Sequence, residues 1–150
     1  MYKSSQLTDE NAGACARVYD TGTMFQKLGR KYELWLGRRR LPQDLAAGDV
    51  CSALSGEGDY VIAKVLARDP GIVHVRIYKE RFGWQPTKID TTSLSLGTVD
   101  DDDGCGIGHL PLKEGVFGSW DPEIIHREDV AEDELDGYRM WQEGGGGAWE

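Results

Sequence analysis

Residues 48–78 read GDVCSALSGEGDYVIAKVLARDPGIVHVRIY, three β-type runs parted by two turn signals. The runs are Asp49 to Leu54, Tyr60 to Ala67 and Ile72 to Tyr78; Ser55-Gly56-Glu57-Gly58 breaks the first pair and Asp69-Pro70-Gly71 the second. Glycine reaches positive φ and proline presets φ near its turn value, so short loops of this kind between β-rich runs predict hairpins. In the third run Val73, Val75 and Ile77 alternate with His74, Arg76 and Tyr78, the period of a strand with one buried face. On that pattern His74 is an ordinary surface residue. The second run is apolar on both faces except for Lys64, which makes it the central strand of the three. An antiparallel meander is therefore the frame into which the rest of the chain must fit.

The flanking segments are read around that frame. Residues 1–21 are polar and lack sustained periodicity, fitting a partly ordered terminus or one short helix from Ala12 to Tyr19. Phe25, Leu28, Tyr32, Trp35 and Leu36 recur at helical spacing and predict an amphipathic helix that Leu41-Pro42 ends, although Tyr32, Leu34 and Leu36 also permit a strand. After Tyr78, KERFGWQPTKID reads as a loop, with Phe82 and Trp84 covering the core or standing out as contact residues. Short strands are expected at Thr91 to Val99 and at Gly104 to Leu112, and a last strand or turn at Ile124, Ile125 and Val130. Glu132, Asp133 and Glu134 open a final helix, where the helix dipole favours negative charge. Leu135, Tyr138 and Trp141 recur on one face of it, with Met140 near them. Gly144 to Gly147 ends that helix and releases a flexible tail over 144–150. The fold expected is α+β: an antiparallel sheet, left open as a meander or closed into a barrel, with an N-terminal and a C-terminal helix. All 150 residues are expected to form a single domain.

Charge narrows the function. Residues 1–48 carry eight Lys/Arg against five Asp/Glu, residues 49–90 six of each, and residues 91–150 three against fifteen. A chain that is strongly acidic over its last third lacks the cations that neutralise phosphates, which argues against nucleic acid and suits a basic protein partner. No run reaches the ~18 apolar residues of a membrane span. The N-terminus has no apolar h-region, so no secretory signal is expected and the cytoplasm is the expected location. Cys15, Cys51 and Cys105 are odd in number and widely spaced, which suits reduced thiols.

Motifs for chemistry fail one by one. Asp100-Asp101-Asp102-Asp103-Gly104 places Asp101, Asp103 and Gly104 as a calcium loop needs, yet sets Val99 at the first ligand position and Leu110 where the bidentate Glu belongs. Gly104-Cys105-Gly106-Ile107-Gly108 has His109 and Pro111 where a dinucleotide fingerprint would need its third glycine. His74, His109 and His126 lie on separate segments without metal-ligand spacing. No G-x-S-x-G is present. Cys105 with His109 is the one covalent-catalysis candidate, a weak one because a base normally reaches its nucleophile from a separate element. No cofactor, metal or catalytic residue is therefore expected.

Carboxylates interleave with aromatics instead. A surplus of one sign costs self-repulsion, which suggests use by something outside the fold. The expected partner-binding residues are Asp100, Asp101, Asp102, Asp103, Trp120, Asp121, Glu123, Glu132, Asp133 and Asp136.

Two stretches carry a resemblance. Gly48-Asp49-Val50 leading into Asp59-Tyr60 and Lys64-Val65-Leu66 resembles the opening hairpin of the immunity protein 26 family of bacterial polymorphic-toxin systems. Gly106-Ile107-Gly108-His109-Leu110-Pro111-Leu112 resembles that family's I-G-x-x-P-L element. Together these cover roughly residues 48–79 and 105–130; the first strand departs from the family at Cys51-Ser52-Ala53, where more apolar residues are usual. The resemblance implies a cytoplasmic antitoxin that binds and blocks a cognate toxin and carries no catalytic residues. A basic, nuclease-like toxin fits the charge. The alternatives are an acidic adaptor or regulatory module and, behind it, a Cys-dependent enzyme.

Overall fold

A computed structural model describes residues 41–149. The helices expected over Ala12 to Tyr19 and from Phe25 to about Arg40, and the partly ordered segment 1–21, lie outside the described residues. Five strands form one antiparallel sheet: β1 (Asp49–Leu54), β2 (Tyr60–Asp69), β3 (Ile72–Phe82), β4 (Ile107–Lys113) and β5 (Glu123–Arg127), in the order β4-β3-β2-β1-β5. The sheet is open, with β4 and β5 at its edges, so it does not close as a barrel. Two short helices complete it, α1 (Glu114–Ser119) and α2 (Asp136–Glu143), the second preceded by a 3-10 turn at Glu132–Leu135. No helix among the described residues is long and apolar enough to cross a membrane.

The meander is where the turn signals put it. β1 pairs with β2 from Val50↔Lys64 to Leu54↔Tyr60, and β2 is central, flanked on both sides by strands. Around Gly56 the hairpin is closed by Ser55 N–H donating to the Asp59 carbonyl at 2.8 Å. β3 runs beyond the expected loop boundary, because Phe82 and Arg81 continue to pair with Tyr60 and Val61. Phe82 packs on the core, whereas Trp84 is 66% exposed. The strand expected at Thr91 to Val99 does not form. Asp90 accepts from Thr92 N–H at 3.0 Å and starts a 3-10 turn at Thr91–Ser93 instead. The β-like alternation has a packing role there, since Leu94 covers the sheet while Ser95 carbonyl accepts from Lys79 N–H at 3.0 Å.

Each face of the sheet is covered. On the first, Val61, Ala63 and Val65 of β2 meet Val73, Val75 and Ile77 of β3, closed over by Leu45, Phe117 of α1 and Trp120. On the second, Val50, Ile62 and Tyr78 pack with Phe82, Ile89, Leu94 and Ile125, while Lys64, His74 and Arg76 lie under the Glu132–Leu135 turn and α2. The expected last strand is β5, which adds to β1 with a bulge between Val50 and Cys51. The segment expected as a flexible tail turns back: Trp149 N–H donates to Pro111 carbonyl at 2.9 Å and Lys113 N–H to Trp149 carbonyl at 3.1 Å, so Trp149 lies parallel along the edge of β4.

Gly48 joins the two sides of β1. Its N–H donates to Val65 carbonyl at 2.8 Å, its carbonyl accepts from Glu128 N–H at 2.9 Å, and its φ is +90°. A Cβ there would collide with the Glu128 carbonyl oxygen. Gly48→Ala is expected to cost about 1–3 kcal/mol, from the left-handed backbone plus the overpacking, read as a lower urea midpoint with an unchanged slope.

Candidate functional site

Two polar assemblies stand out, one buried and one exposed. The buried one begins at Lys64, whose position on the most apolar strand would leave an ammonium inside the protein without partners. Glu134 Oε2 meets Lys64 Nζ at 2.7 Å, Glu128 Oε1 at 2.8 Å and the Asp129 carbonyl at 2.8 Å. Glu134 reaches in because it caps its own turn, its Oε2 accepting from Ala131 N–H at 2.9 Å, and its Oε1 accepts from Arg76 at 3.0 Å. Burial alone would push the Lys64 pKa down, but the two carboxylates outweigh it and hold the ammonium above its ordinary value. Burial raises the Glu128 pKa, and hydrogen bonds from Lys64 and Thr91 more than offset it, leaving that carboxyl below its ordinary value.

Beside this network lies a second buried group that the strand pattern assigned to solvent. His74 is fully buried. Its Nδ1 faces His109 Nε2 at 3.0 Å and its Nε2 faces Asp69 Oδ2 at 3.0 Å, while Tyr138 donates to the same Asp69 oxygen at 3.1 Å. The Trp141 ring stands edge-on to His74 at 4.4 Å between centroids. Alternation predicted which face of β3 His74 occupies, correctly; what it could not contain is the helix that covers that face.

The same contacts place the other histidines and the cysteines. His109 gives its Nε2 to His74, so imidazole pairs with imidazole rather than with the exposed Cys105 thiol. His126 is on β5, at the opposite edge of the sheet from His109 on β4, and sits 3.5 Å from Glu128, so the three histidines do not converge. Among the described residues no three metal-binding side chains gather. Cys51 is buried with Asp49 beside it, and burial first, then that charge, pushes its thiol up to about 12.

The exposed assembly is the acidic loop before β4. Asp101 accepts from Thr98 N–H at 3.1 Å and from the Thr98 hydroxyl at 3.0 Å, and Lys79 Nζ lies 3.1 Å from Asp101 Oδ2 and 3.2 Å from Asp103 Oδ1. These hydrogen bonds hold the Asp101 carboxyl below its ordinary value and the Lys79 ammonium above its own. An internal ammonium thus stands between the two carboxylates that the calcium pattern had selected. Asp100 and Asp102 remain exposed, and Val99 is 87% exposed at the tip.

The other expected contact residues lie elsewhere. Trp120 packs edge-on against Phe117 on the first face, its carbonyl accepting from Leu54 N–H at 2.7 Å. Asp121 holds the turn after α1 with a φ of +50°, the one positive φ outside glycine among the described residues, and Glu123 is exposed on β5. Glu132 and Asp136 both pair with Arg139, and Asp133 is exposed between them, in the elements over the second face. The ten residues therefore do not make one patch: Trp120 belongs to one face of the sheet, Glu132, Asp133 and Asp136 to the cover of the other, and the acidic loop to the approach to β4. Compared with known protein families, with curated proteins and with solved structures, the chain gives no significant match.

Proposed function

We propose that this chain is a cytoplasmic immunity protein that neutralises a basic, nuclease-like bacterial toxin by stoichiometric occlusion, with the Val99 to Asp103 loop as its leading contact. The observation that carries this reading is the order of that loop. Asp101 ties it to Thr98, and Lys79 ties Asp101 and Asp103 to β3, so Asp100, Asp102 and the exposed Val99 are presented on a preset surface. A contact that is ordered before binding loses less conformational entropy on association, which raises affinity without added area. Exposed carboxylates beside an apolar tip suit a basic surface with a small apolar recess, and complementary charge speeds the encounter. The hairpin of β1 and β2 and the Gly106 to Leu112 element that resemble the immunity protein 26 family lie in the sheet, so they support the family reading as scaffold and leave the contact to the loop. An occlusion of this kind buries on the order of 1,600 Å².

The test is co-expression with the product of a neighbouring reading frame that arrests growth. Growth is expected to be restored by this chain. Asp100→Lys with Asp102→Lys is expected to lower the association rate at least about tenfold at low salt and far less at high salt. An unchanged rate removes the loop from the interface, and failure to restore growth against every neighbouring product removes the immunity reading.

A further inference from the structure

The His74–His109 contact fixes where protons sit beneath α2. The Asp69 carboxylate only accepts, so His74 presents its Nε2–H there at 3.0 Å and keeps a lone pair on Nδ1. His109 must then present its Nε2–H to that lone pair at 3.0 Å, leaving its own Nδ1 bare. Tyr138 donates to Asp69 at 3.1 Å and accepts from the Gln142 amide at 3.0 Å. α2 rests on this chain through Tyr138, through the Trp141 ring and through Gly137, where even a methyl group would come within 2.5 Å of His109 Cβ. Trp141 Nε1–H in turn donates to the Gly147 carbonyl at 2.5 Å, which ties the segment leading to Trp149 to the helix.

One added proton fits this arrangement, on His109 Nδ1, with every bond in the chain kept. A second must go to His74 Nδ1, where N–H would then face N–H between two imidazolium rings, and the bond is lost. The groups around the pair do not rescue it. Asp69 of β2 favours charge on His74 but is already shared with Tyr138. Arg76, the next residue along the same face of β3, is paired with Glu134, and α2 meets the histidines with the neutral Tyr138 and Trp141 while its Asp136 and Arg139 pair with each other. We propose that α2 and the segment after it form a lid latched by the His74–His109 pair, which opens when both imidazoles carry a proton and uncovers this half of β3 and β4.

Burial pushes the pKa of both histidines below the ordinary value of 6.5, outweighing Asp69 at His74 and reinforced by His74 at His109. For a folded value lowered in this way, the latch is in place above pH 6.5 and is lost as the pH falls below it.

Amide hydrogen exchange of α2, corrected for intrinsic rates and followed from pH 7.5 to pH 5, tests the lid, with the histidine ring proton signals read alongside. Two titration steps are expected, with α2 protection falling below pH 6.5 by up to ~100-fold per pH unit while the closed latch holds neither proton, the limit for two, and by up to ~10-fold once it holds one, while β2 keeps its protection. His109→Gln keeps an N–H donor for His74 but cannot titrate, and should limit the fall to ~10-fold per unit. Gly137→Ala, which changes no titratable group, should open α2 already at pH 7.5. The proposal is overturned if α2 protection stays flat, falls together with that of β2, follows the first proton alone, falls as steeply in His109→Gln, or is unaffected by Gly137→Ala.

Discussion

Replacing Glu134 with alanine is expected to destabilise the fold by about 3–5 kcal/mol, the range for removing one partner from a buried ion pair. Glu134 is 8% exposed and gives one oxygen to Lys64 at 2.7 Å and the other to Arg76 at 3.0 Å. Lys64, itself 3% exposed, would keep Glu128 and the Asp129 carbonyl but would face a void where its nearest carboxylate had been. The loss therefore comes from a stranded charge more than from a missing attraction. It follows that Lys64→Met combined with Glu134→Leu should recover part of the stability, because the buried ammonium is gone and the partners left behind, Arg76 and Glu128, are only partly buried and can turn to water. Urea unfolding of the two variants is the measurement, and a cost under about 1 kcal/mol for Glu134→Ala would mean that water reaches Lys64. The pH window follows from the signs. The Lys64 contribution, from a raised value, is complete below its ordinary 10.5 and lost as pH rises beyond; that of Glu128, from a lowered value, is complete above 4.5 and lost as pH falls.

Phe117→Ala should be of similar size, about 3–5 kcal/mol, for a different reason. The ring is fully buried, holds α1 against the first face of the sheet, and meets Trp120 at 5.9 Å with planes at 71°. Truncation removes its transfer energy, leaves a cavity and costs the edge-on contact a further part. Phe117→Leu, which keeps most of the volume, should cost far less. In a thermal melt the alanine variant is expected to lose roughly 10–20 °C. A loss of only a few degrees would mean that α1 is an attachment rather than part of the core.

What could be read in the sequence was local. The turns at Ser55 to Gly58 and at Pro70-Gly71, the β1 to β3 strands and the central position of β2 follow from residues that are neighbours in the chain. Apart from the Thr91–Ser93 turn that Asp90 caps and the short α1, what the reading missed joins residues far apart in it. β5 settles against β1 through Val50↔His126 and Cys51↔Ile124, a pairing that no window of the sequence spans. α1 is six residues long and contains Gly115 and Gly118, too short to show a helical period. His74 occupies the polar register of β3, and its burial depends on Tyr138 and Trp141, more than sixty residues later. The meander, read in the sequence only as the frame of the fold, thus supplies Lys64, Asp69 and His74 to the buried polar networks. The acidic third misled in the opposite direction: Asp101, Asp103, Glu114, Glu128, Glu132, Glu134 and Asp136 all have cationic partners within the fold, and the exposed surplus is smaller than the count of acids suggests.

Lys79 gives the loop before β4 a counterion that the chain carries with it. An acidic loop ordered by a bound ion changes contour with the ionic composition around it, and a partner meets a different shape in each medium. Here the ammonium is anchored to β3, and its concentration at the loop is set by the fold alone. The outline offered by Val99, Asp100 and Asp102 thus has a counterion built into the fold, and under the proposed function salt is expected to act more on the approach of a partner than on the surface it reaches.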